Sequence, residues 1–167
     1  MRNILMILVV VAIAMTSCNN DKQVLSTSFD NLQKESDSLL QVHTALKNSH
    51  TTNMSAYTTV SENMTGKTFQ DSTLLATLAT QEVVLKNHDA QIIKVEALLN
   101  GHQELKANFN NLTPEEMQAQ IDVMTADLEE IKNTQTTMQG EHEKLGQDLA
   151  QVNEEFKKQE LTAEAKQ

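Results

Sequence analysis

The chain has 167 residues, with one Pro, four Gly, no Trp, one Tyr and four Phe. So few helix breakers and so few aromatic residues exclude a turn-rich sheet domain and leave room for one helical domain. The formal charge is −10 and Arg2 is the only arginine, which excludes a basic nucleic-acid surface or an arginine clamp for phosphate.

Residues 1–17 have the pattern of a secretory signal peptide. Met1 and Arg2 supply the positive end, and Ile4 to Met15 form an apolar run of twelve residues. That run suits a signal core and falls short of the roughly 20 residues that span a bilayer. The stretch Met15-Thr16-Ser17-Cys18 comes next and resembles the lipobox of bacterial lipoproteins, with Met15 where Leu is commoner. The resemblance covers about the first 20 residues and implies cleavage between Ser17 and Cys18, a covalent lipid on Cys18, and acylation of the new amino terminus. It further implies a membrane partner and a place in the cell envelope. Asn19 is not the Asp that resembles an inner-membrane retention signal, so the outer membrane is the expected address. Cys18 is the sole cysteine, so disulfides are excluded and packing alone must stabilise the helical domain.

Residues 18–23 are read as a short tether, and 24–156 as an all-α domain: an elongated antiparallel three-helix bundle or coiled coil. Apolar residues recur there at alternating spacings of four and three, the pattern of helices packed along a seam. The first segment, about 24–64, carries the stripe through Leu25, Phe29, Leu32, Ser36, Leu39, His43, Leu46, His50, Asn53, Tyr57, Val60 and Met64. Its stretch 48–59 is rich in Thr, Ser and Asn, poor helix formers, so a kink or fraying is expected there. Gly66 can take the left-handed conformation that ends a helix, and Thr68 or Asp71 can cap the next.

The second segment, about 71–109, continues the stripe through Leu74, Leu78, Gln81, Leu85, His88, Ile92, Val95, Leu99, His102, Lys106 and Phe109. Val84, Leu98 and Leu105 widen its apolar face, as befits a helix with two neighbours. The sequence NNLTPEEM then predicts a new helix near residue 114: Thr113 as N-cap, Pro114 at the first helical position, and Glu116 closing a capping box. The third segment, 114–156, has the most regular stripe, from Met117 through Ile121, Met124, Leu128, Ile131, Gln135, Met138, His142, Leu145, Leu149 and Val152 to Phe156. Segments of about 40 residues at 1.5 Å rise predict a rod about 60 Å long. Folded antiparallel, the stripes put Phe29, Phe109 and Met117 at one end and Met64, Phe69 and Phe156 at the other. Residues 157–167 are expected to fray.

All five histidines, at 43, 50, 88, 102 and 142, fall on the stripe. The antiparallel alignment sets His50 level with His88 and Met138, with His142 one layer away. The leading expectation is that these imidazoles form polar layers that fix helix register. The alternative is a zinc or copper site built from His50, His88 and His142, with Met138 as a thioether ligand. The sequence contains no phosphate-binding glycine loop and no nucleophile–base order that would mark an enzyme. The expected role is therefore a lipid-anchored structural or protein-interaction module with a protein partner or self-association, no nucleic acid and no cofactor beyond the lipid.

Overall fold

The structure, a computed structural model, describes residues 2–66 and 72–164, with side chains described over 21–66 and 72–162. It has three helices and no strand among the described residues: α1 (Arg2–Met64), α2 (Ser72–Asn108) and α3 (Pro114–Glu164), with a single 3₁₀ turn, Phe109–Asn111, between the last two. The fold is all-α and a helical bundle, as the seam spacing predicts. The processing residues Ser17 and Cys18, the candidate caps Thr68 and Asp71, and Phe69 of the apolar end lie outside the described residues or side chains. Among the described residues no helix is long and apolar enough to cross a membrane.

Several boundaries differ from the sequence expectation. Helix α1 runs without interruption through 48–59. The hydroxyls of Thr51, Thr52, Thr58 and Thr59 each donate to the carbonyl four residues back, at 2.9 to 3.0 Å. These threonines satisfy their side chains on their own helix, while Asn53, Tyr57 and Val60 pack inward. Helix α3 continues through Glu164 rather than ending near 156, and 157–164 are therefore helical.

The α2–α3 connection obeys the capping-box chemistry. The Thr113 amide donates to Glu116 Oε2 at 2.8 Å, and the Glu116 amide donates back to Thr113 Oγ1 at 3.3 Å. Hydrogen bonding from Thr113, its amide first and its side chain second, holds the Glu116 carboxyl below its usual range. At the other connection Gly66 has φ +77, the left-handed geometry that glycine adopts without a Cβ penalty.

The chain divides into two compact units. The first combines α1 residues up to Leu40 with Ala97–Ile131, and the second combines Gln41–Glu96 with the chain from Lys132 onward. In the first unit the rings of Phe29 and Phe109 stack at 3.8 Å between centroids, with 7° between planes. Lys22 Nζ donates to the Leu112 carbonyl at 2.8 Å, beside a Ser26 to Asn110 bond of 3.2 Å. The stripe shifts here. Leu32 is only half-buried and Gln33 takes the buried position, because its amide donates to the His102 carbonyl at 2.7 Å. On α2 the exposed Lys106 yields its expected place to the half-buried Leu105.

In the second unit Val60, Met64, Leu74, Leu78, Leu85, Leu145, Leu149, Val152 and Phe156 form one apolar cluster, with Met54, Tyr57 and Val84 against it. A smaller cluster joins Leu46, Ile92 and Met138. Within this unit α1 numbering rises as α2 numbering falls, so these two helix segments are antiparallel. Every stripe position of α3 from Met117 to Phe156 is buried. Exposed apolar side chains among the described residues include Val83, Ile93 and Leu161.

Candidate metal centre

The layer between the two apolar clusters of the second unit is polar. His50 on α1, His88 on α2 and His142 on α3 point into it, and all three are buried, His88 completely. Ring centroids lie 6.0 Å apart for His50 and His88, 5.7 Å for His50 and His142, and 4.6 Å for His88 and His142. Each ring offers a nitrogen within 4.8 Å of a nitrogen of the other two. The 4-3 spacing produces this convergence: a stripe position on each of three packed helices faces the same axis.

Two carboxylates hold two of the rings. His50 Nε2 lies 2.8 Å from Asp89 Oδ1, and His88 Nε2 lies 2.6 Å from Glu141 Oε2. A carboxylate oxygen accepts, so Nε2 donates, and in the neutral ring Nδ1 keeps its lone pair. Those Nδ1 atoms are buried and have no hydrogen-bond partner, and neither ring nitrogen of His142 has one. Burial lowers the His142 pKa to about 4, helped by the neighbouring His88 and His50 and opposed by Glu141. His142 is therefore a neutral imidazole at physiological pH. Its backbone carbonyl accepts from Asn53 Nδ2 at 3.2 Å, one layer along α1.

The remaining histidines behave differently. His102, in the first unit, has Nδ1 3.1 Å from Ser36 Oγ and Nε2 3.4 Å from Asp127 Oδ2. Both its ring nitrogens are occupied, and it forms a polar layer of the kind expected for a seam. His43 is buried with its Nε2 unpartnered, and its pKa is lowered by burial and by Lys47 against the opposing pull of Glu96. Met138 is buried among Leu46 and Ile92 in the adjacent apolar layer.

The three histidines are legible from their stripe positions, whereas Asp89 and Glu141 are not. Each acid adjoins one histidine of the trio in sequence, Asp89 beside His88 and Glu141 beside His142, yet reaches across to a histidine on a neighbouring helix. The only signal in the sequence is an acidic residue flanking a seam histidine. A groove between α1 and α3, lined by Leu46, Ser49 and Gln139, leads to His142.

Comparison with protein-family models, with curated proteins and with solved structures gives no match.

Proposed function

We propose that the chain is a lipid-anchored protein of the bacterial cell envelope whose helical bundle acts as a structural or protein-interaction module. The observation that carries this reading is the junction Met15-Thr16-Ser17-Cys18, a lipobox-like sequence at the end of an apolar run in a chain with one cysteine. Cleavage before Cys18 discards 1–17. Acylation of Cys18 and of the new amino terminus then supplies more than one chain, and stable anchoring requires that because a single acyl chain binds reversibly. The absence of Asp after the lipidated Cys favours the outer membrane. Lys22 and Ser26 bond to Leu112 and Asn110, so the α2–α3 connection adjoins the tether and stands on the membrane side in this reading. The bundle then presents helix faces, with no catalytic role, to a protein partner or a second copy.

Globomycin, which blocks lipoprotein signal cleavage, tests the anchor. The expected result is accumulation of an unprocessed form with slower electrophoretic mobility. Unchanged mobility and unchanged membrane partitioning would sink the reading. Crosslinking in intact cells with mass spectrometry of neighbours tests the module, and a recurrent protein neighbour is expected.

A second reading is favoured by the unpartnered imidazole nitrogens. Under it the domain binds zinc or copper. Titration calorimetry with Zn(II), Cu(II) and Cu(I) tests it, with binding tighter than about 10 μM expected.

A further inference from the structure

We infer that His50 Nδ1, His88 Nδ1 and one ring nitrogen of His142 are the ligands of a single divalent transition-metal ion, oriented by Asp89 and Glu141 and leaving one coordination position open. The inference rests on the metal-binding reading and specifies its site.

Three features of the geometry carry it. The first is donor supply. Asp89 and Glu141 accept hydrogen bonds from Nε2–H of His50 and His88 at 2.8 and 2.6 Å, which fixes those tautomers and leaves the Nδ1 lone pair as the metal donor. A histidine that donates one N–H to a carboxylate while its other nitrogen ligates is a recurrent metal-site arrangement, and the carboxylate raises ligand basicity. The second is unmet demand. Four buried ring nitrogens in one layer, Nδ1 of His50 and His88 and both of His142, have no hydrogen-bond partner. Buried acceptors left unsatisfied are costly, and one cation satisfies three of them at once.

The third is distance. One ring nitrogen of each histidine lies within 4.8 Å of one ring nitrogen of each of the others. Tetrahedral zinc with ligand bonds of about 2.0 to 2.1 Å needs donors about 3.4 Å apart. The donors therefore close by up to about 1.4 Å, which side-chain torsions can supply. His142, tied to no side-chain partner through its ring, is the ligand best able to turn.

The donor set also selects the ion. Three imidazoles suit zinc, cobalt, nickel and copper(II), whereas calcium and magnesium require oxygen ligands. Met138 packs with Leu46 and Ile92 in the next layer, so no thioether joins the set and copper(I) is disfavoured. Three protein nitrogens leave a fourth tetrahedral position for water or a small anion, the arrangement of catalytic rather than structural zinc. The groove past Leu46, Ser49 and Gln139 to His142 is the route by which ion and water reach it.

The test is titration of the full-length chain, purified in detergent, with Co(II) followed by Zn(II). One equivalent of Co(II) should give the visible bands of a four-coordinate site, and Zn(II) should bleach them. His88→Ala and His142→Ala should abolish the bands with helicity intact by circular dichroism. His102→Gln should leave them unchanged, because both ring nitrogens of His102 are already occupied. Asp89→Asn and Glu141→Gln should each weaken binding by about 10- to 100-fold.

No saturable metal binding would overturn both this inference and the reading beneath it. Binding that survives His88→Ala and His142→Ala would overturn this site while the protein remains a metal binder. Loss in the histidine variants with unchanged affinity in Asp89→Asn and Glu141→Gln would overturn the assigned role of the carboxylates. Should a histidine variant fail to fold, the same absorption measured on His50→Gln decides: retained bands overturn the ligand set.

Discussion

Ser36 and His102 show how a buried imidazole is satisfied without an ion. Ser36 is fully buried and sits 3.1 Å from His102 Nδ1. Removing the hydroxyl leaves a buried ring nitrogen unpaired, which costs about 1–3 kcal/mol. Ser36→Ala should therefore lower the denaturant midpoint at unchanged slope, and an unchanged midpoint would show that water replaces the hydroxyl. His142 has the opposite character. Its folded pKa of about 4 lies below the ordinary 6.5, with burial the leading cause, His50 from α1 and His88 from α2 adding to it, and Glu141 opposing. The unfolded chain thus binds a proton on this residue that the metal-free folded chain refuses. Stability is fully present above pH 6.5 and declines as pH falls toward 4. From neutral pH down to pH 5 the loss is about 2 kcal/mol, the slope approaching 1.36 kcal/mol per pH unit below pH 6.5. Urea unfolding in chelator at pH 7, 6 and 5 should show that decline, and His142→Gln should flatten it to what the other titrating groups leave.

At the scale of the helix, α3 depends on a start signal that is wholly local. Thr113 and Glu116 exchange two hydrogen bonds across the first turn, at 2.8 and 3.3 Å. Thr113→Ala removes one of them and the preferred cap, an effect of about 1 kcal/mol. The expected outcome is a lower melting temperature with α3 frayed at its first turn by amide exchange; unchanged exchange at Glu115 to Met117 would contradict it. This start is legible in the sequence because a capping box is a contiguous motif. The seam of α3 is legible for a related reason: its Leu, Ile and Met residues keep strict spacing, and every such position is buried. The stripe misleads at Leu32 and Lys106, where Gln33 and Leu105 carry the burial. At Gln33 a buried amide reaches a carbonyl on the next helix, and no hydrophobic period encodes that bond. The candidate site divides the same way. Its histidines lie on the stripe and can be aligned, but Asp89 and Glu141 lie on flanks that are solvated in most helices. Their reach across to His50 and His88 depends on side-chain rotamers in the folded packing.

For the molecule as a whole, the two compact units differ in what a metal would do to them. All three proposed ligands belong to the second unit, Gln41–Glu96 with the chain from Lys132 onward, and none to the first. An ion that binds only the folded state stabilises it by RT ln(1 + [L]/Kd), about 2.7 kcal/mol at one hundred times Kd. Stability is not uniform along a chain, and a bound ligand raises the opening free energy of those segments whose opening would release it. Zinc should therefore slow amide exchange most around His50, His88 and His142, and less around His102, Phe29 and Phe109. Exchange measured with zinc and with chelator, on the same full-length preparation, reads this directly. The protection gained at the ligand layer should be several-fold greater than that gained in the first unit. An equal gain throughout would mean that both units open in one cooperative event, since the three helices run through both, and that the ion then stabilises the whole chain. A gain confined to the first unit would place the ion away from the three histidines and contradict the ligand assignment outright.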